Sequence, residues 1–80
     1  MAARLTFRYN RETDVLYIDT CTPYAAQESE ELGDEVIARI NPETEEVENL
    51  EVLFFSTRLL RNDFFDLPLT ADLRLSRKSA

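Results

Sequence analysis

An alternating run, a polar break and an apolar run follow one another near the start of the chain, and this succession constrains the fold more than any other feature. Leu5, Phe7 and Tyr9 alternate with Arg4, Thr6 and Arg8, the two-residue period of a strand with one face buried. VLYIDT (15–20) is rich in β-branched and aromatic residues and apolar at successive positions, as befits an interior strand. Between them lies NRETD (10–14). Its Asn10 can accept a hydrogen bond from the backbone two residues on and tolerates turn dihedrals, so a tight antiparallel hairpin is predicted. Glu12 and Asp14 thereby have a structural use as turn residues before any chemical one.

The same succession returns downstream. EVIARI (35–40) alternates, and NPETEE (41–46) interrupts it, because Pro42 fixes its own φ and steers Asn41 out of the α region. VENLEVLFF (47–55) then resumes, with Leu50, Val52 and Phe54 on one face and Asn49, Glu51, Leu53 and Phe55 on the other. A second hairpin is predicted. Residues 21–34, with Pro23, Gly33 and a cluster of Glu, read as a loop with at most a short edge strand through 25–30. Ser56 or Thr57 is placed to cap a short helix over 57–65, with Leu59, Leu60 and Phe64 on one side. So short a helix needs the sheet to pack on. Beyond it, Leu67, Leu69, Ala71, Leu73 and Leu75 all fall on odd positions, a strand pattern that suits a fifth strand in this sheet or in a neighbour's. The predicted fold class is α+β: a largely antiparallel four-stranded sheet of two hairpins, one short helix and an extended C-terminal segment, in a single domain over 1–80.

These residues resemble a small bacterial family, domain of unknown function 2283. Tyr9, Asp14, Leu16, Tyr17 and Ile18 match its opening Tyr, acid-rich turn, Asp and "LYI"-like strand. Glu51, flanked by Leu50 and Val52, matches the acid of its "GIEI"-like strand, and Ser56 matches the small polar residue that opens its helix. The likeness covers about residues 5–60, leaving 64–80 as an additional segment. Two departures stand out: the second turn lacks the usual glycine, and Asn49 stands where a glycine often precedes the aliphatic–Glu pair. The resemblance implies an antiparallel sheet with a helix. Some relatives are encoded beside small toxin-like proteins, which implies an antitoxin or partner role for that subset. It brings no catalytic residues.

Composition narrows the chemistry. There is no histidine, which removes the commonest general base and metal ligand, and a single glycine leaves no glycine-rich phosphate loop. NPETEE lacks the glycine and ligand spacing of a calcium loop. No cofactor, metal site or catalytic residue is predicted. Should the protein be an enzyme, its candidate acids are Asp14, Asp19 and Glu51, converging across strands as a carboxylate hydrolase at a dimer cleft. The competing expectation is that Asp14 caps the turn and Glu51 pairs with Arg39 or another cation. The net charge is −7, and residues 28–51 hold ten acids against Arg39 alone. That field repels nucleic acid; the acidic segment reads first as a solvated rim that keeps a small protein soluble, and alternatively as a surface for a small basic partner. One cysteine, Cys21, argues for a reducing compartment. With no apolar run of membrane-spanning length and no signal-peptide pattern, a cytoplasmic location away from membranes is expected.

A chain of 80 residues buries only about 60% of its unfolded surface, yet 44% of this one is apolar. Phe54, Phe55, Leu59, Leu60, Phe64 and Phe65 form the densest apolar cluster, expected first as core. One short helix covers one sheet face only, so a homodimer is predicted, with Phe54, Phe55, Leu59, Leu60, Leu69 and Leu73 as candidate interface. The expectation for function is a non-enzymatic interaction module, antitoxin-like in its more specific form, with the hydrolase as the alternative.

Overall fold

A computed structural model describes residues 4–61, 67–71, 73 and 75. Strands β1 (Thr6–Asn10), β2 (Val15–Asp19), β3 (Glu28–Gly33), β4 (Val36–Ile40) and β5 (Val47–Leu53) precede one helix, α1 (Phe55–Leu59). They form one sheet in the order β1-β2-β5-β4-β3, and every pairing is antiparallel.

Both predicted hairpins are present, and the same turn closes each. In NRETD, Asn10 Oδ1 accepts the N–H of Glu12 at 2.9 Å and of Thr13 at 3.2 Å, and the Asp14 N–H returns to the Asn10 carbonyl at 2.8 Å. In NPETE, Asn41 Oδ1 accepts from Glu43 at 2.8 Å and Thr44 at 3.1 Å, and the Glu45 N–H returns to the Asn41 carbonyl at 2.8 Å. The last turn residue is left-handed in both, with φ 58° at Asp14 and 64° at Glu45. The side-chain amide stands in for a backbone acceptor, which is why Asn opens each turn.

The sheet has five strands, not four. The fifth comes from the acidic segment, read from the sequence as a loop with at most a short edge strand through 25–30; the strand runs Glu28–Gly33. β3 is an edge strand whose residues are all exposed except Leu32. With neither face buried, selection imposes no apolar alternation on it, and the signal that identifies the other strands is missing. Asp34 and Glu35, both at positive φ, make its turn into β4 after Gly33 at φ 94°. The C-terminal residues 67–71, 73 and 75 are not strand.

The helix also differs from expectation. Phe54 adopts a left-handed conformation at φ 53° and ends β5 abruptly, so α1 begins at Phe55, not at 57. Leu60 is its C-cap, so the helix predicted over 57–65 already ends at Leu59; residues 62–65 of that prediction, with Phe64 and Phe65, lie outside the described residues. Phe54 leaves the Leu50–Val52 face as a result, and Phe54, Leu59 and Leu60 are 53%, 69% and 88% exposed, so they are not core. The buried apolar residues among those described are Val15, Val36, Ala38 and Val52. Three of these share a face, because Val36 and Leu16 both oppose Val52, and Ala38 opposes Leu50. Arg58 is buried in α1, its Nε donating to the Leu53 carbonyl at 3.1 Å and its Nη1 to Asp34 at 3.1 Å.

Candidate functional site

Register divides the sheet into two unlike faces. Directly opposed residues share a face, so Phe7, Ile18, Leu50 and Ala38 line up across β1, β2, β5 and β4, as do Tyr9, Leu16, Val52 and Val36. The other face carries Arg8, Tyr17, Asp19, Asn49, Glu51 and Arg39. The apolar face packs the core; the polar face holds most of the titratable chemistry.

At the Asp19 end of β2 the polar side chains form one connected network. Asn49 is only 2% exposed and is its hub. Its Nδ2 donates to Asp19 Oδ1 at 2.9 Å and to the Cys21 carbonyl at 2.7 Å, and its Oδ1 accepts from Gln27 Nε2 at 2.8 Å. Gln27 Nε2 also donates to Glu48 at 2.9 Å, and Glu48 accepts from the Tyr24 hydroxyl at 2.7 Å and from Asn41 at 3.1 Å. These donors hold the Glu48 carboxyl below its usual range, Gln27 contributing most, then Tyr24 and Asn41. Donation to Glu48 in turn pushes the Tyr24 hydroxyl up to about 12. The network fastens loop 20–27 over the end of the sheet, because buried polar groups in a low-dielectric setting must find partners. Sequence reading missed Asn49, Gln27, Glu48 and Tyr24 as a set. One signal was available: an amide at position 49, inside an otherwise apolar and acidic strand.

Of the three candidate acids, Asp19 and Glu51 share the polar face as diagonal neighbours, since Asp19 opposes Asn49 and Tyr17 opposes Glu51, while Asp14 lies at the other end of β2. Asp19 accepts from Arg8 Nε at 3.0 Å, and that guanidinium also lies 4.6 Å from the centre of the Tyr17 ring. Glu51 pairs with Arg39 at 2.9 Å, as one of the two sequence readings expected. Asp14 precedes the opposite end of β2 and clasps the helix. Its Oδ1 accepts the Ser56 N–H at 3.0 Å and the Tyr9 hydroxyl at 2.5 Å, its Oδ2 accepts the Ser56 hydroxyl at 2.8 Å, and its carbonyl accepts the Phe55 N–H at 3.0 Å. The cap of α1 is thus supplied across the fold by a hairpin turn, not by Ser56 or Thr57 themselves. These bonds, the Tyr9 hydroxyl first and then Ser56, hold the Asp14 carboxyl below its usual range. A shallow cleft of about 520 Å³ includes Arg8, Asp19, Thr20 and Cys21 but neither Asp14 nor Glu51. Partial desolvation, with the Glu48 and Asp19 carboxylates nearby, pushes the exposed Cys21 thiol up. Among the described residues no group of three or more metal-ligating side chains is placed to hold an ion.

The candidate interface residues divide. Phe55 is half-buried, its ring 5.8 Å from that of Tyr9. Leu69 and Leu73 line a groove of about 770 Å³ between residues 68–71 and 73 and the apolar sheet face, opposite Leu5, Phe7, Ile18 and Leu50. Leu73 is 77% exposed there, Phe7 61% and Leu5 46%. Phe54, Leu59 and Leu60 lie apart from this groove.

A family described as "Protein of unknown function (DUF2283)" matches residues 6–56, more than half of the chain. The chain belongs to that family. No curated protein and no solved structure matches it. Among the described residues, no helix is long and apolar enough to cross a membrane.

Proposed function

We propose that this member of the family works by binding protein, as a self-associating interaction module whose first partner is a second copy of itself. One observation carries the reading: the groove-side face leaves Leu5 and Phe7 open to solvent beside half-buried Ile18 and Leu50. The carboxylates fit the same picture, since Asp14, Asp19, Glu48 and Glu51 each serve as hydrogen-bond acceptors for neighbouring structure.

Light scattering on the purified protein at tens of micromolar tests the reading. A particle of twice the chain mass is expected; a strict monomer at that concentration overturns it. A small basic protein is a second partner in this reading, favoured by one observation. β3 presents Glu28, Glu30 and Glu31, all exposed, along an outer edge of the sheet, which suits electrostatic capture.

A further inference from the structure

The two outer edges of the sheet are not alike. β3 carries the devices that keep an edge from pairing: exposed glutamates, a break in register between Glu31 and Gly33, and a left-handed Gly33. β1 has no bulge and no left-handed residue, and its one charge, Arg8, is paired with Asp19 within its own sheet. Its sequence is TFRYN, all five residues are exposed, and its pairing with β2 runs without a bulge from Thr6 to Asn10. Aromatic and β-branched residues of this kind favour strand pairing. The Asn10 carbonyl is turned inward to accept the Asp14 N–H. Alternation along the strand then turns the N–H and C=O groups of Phe7 and Tyr9 toward the open edge.

We propose that β1 pairs antiparallel with β1 of a second copy about a two-fold axis at Phe7, joining two sheets into one of ten strands. The proposal rests on self-association and specifies its surface and register. With the axis at Phe7, Phe7 opposes its own mate and Leu5 opposes Tyr9, so an apolar ladder crosses the junction on the groove face. On the other face Arg8 opposes Thr6, and Arg4 opposes Asn10. An axis one residue later would set Arg8 against Arg8, a like-charge pair. Pairing β1 with β3 of another copy would bring the Phe7 face against Glu28 and Glu30, which share a face with Ile40 and Ala38, and would generate an open chain of molecules rather than a closed dimer. Charge points the same way. Two copies of net charge −7 repel, and β1, flanked by Arg4 and Arg11, is where they approach with the acidic β3 edges farthest apart.

Single cysteines introduced into the full chain carrying Cys21→Ser test the register. Opposed residues in an antiparallel pair lie about 4.5–5.5 Å apart at Cα, inside the range a disulfide spans. Under mild copper-catalysed oxidation Phe7→Cys should convert almost completely to covalent dimer, while Thr6→Cys and Arg8→Cys alone should not. Mixing those two proteins should restore crosslinking, and this measurement does not depend on replacing Phe7. Faster crosslinking of Arg8→Cys alone, or a ladder of higher oligomers, overturns the proposal. A dimer by light scattering with no crosslink in any of these proteins also overturns it while leaving self-association standing. A monomer removes both.

Discussion

At the level of single residues, the informative positions are those where a polar side chain does what the backbone cannot. Asn49 joins strand β5 to Asp19, to the Cys21 carbonyl and to Gln27 from a position that is 2% exposed. Removing it orphans donors and acceptors that water reaches poorly, each worth about 1–3 kcal/mol. Asn49→Ala is therefore expected to lose at least about 2 kcal/mol by urea unfolding. Asn49→Leu, which keeps the volume, should lose a comparable amount; if it restores wild-type stability, packing and not hydrogen bonding is the role of position 49. Asp14 has a comparable structural role at the other end of β2. Its link to Ser56 joins residues 42 apart in sequence, and no local pattern reveals such a partner.

At the level of elements, the two long hairpins show how far a turn can be read locally. NRETD and NPETE fold alike because Asn at the first position captures the next two free N–H groups, and the fifth residue must then enter the left-handed region. Asp14 tolerates that through its own hydrogen bonds, while Glu45 is exposed at φ 64°. The left-handed conformation costs a residue with a Cβ about 1–2 kcal/mol, and glycine gives back about 0.4–1 kcal/mol through the unfolded chain. Glu45→Gly is thus expected to stabilise the protein by about 0.5–1 kcal/mol; a loss of stability in denaturant titration would contradict this account of the turn. The helix illustrates the opposite case. Its helix-favouring residues were legible, but its start depends on Phe54 turning left-handed and on Asp14 arriving from another hairpin.

For the whole molecule, the hydrogen-bonded acids and tyrosines set the pH range of stability. Asp14 and Glu48 have folded pKa values below their unfolded ones. Their contribution is therefore present above the unfolded carboxylate range, about pH 4, and lost as pH falls through the folded values. Tyr24 runs the other way. Its hydroxyl is raised to about 12, so its contribution is complete below the unfolded tyrosine pKa, about 10, and lost as pH climbs toward 12. Thermal unfolding should show a plateau falling at both ends, and Tyr24→Phe should abolish the part of the alkaline fall that Tyr24 causes. An unchanged alkaline limb would remove the Tyr24–Glu48 bond from the explanation. The sequence by itself determined the hairpins, the antiparallel α+β class, the interior place of residues 15–20 and the family, because period-two alternation and Asn-led turns act over a few neighbouring residues. Only the tertiary structure decided the extent of the fifth strand, the exposure of Phe54, Leu59 and Leu60, the place of Asp14 at the opposite end of β2 from Asp19, and the role of Asn49. Each of those depends on which distant segment supplies burial or a hydrogen-bond partner, and that is a property of strand order and register rather than of local pattern.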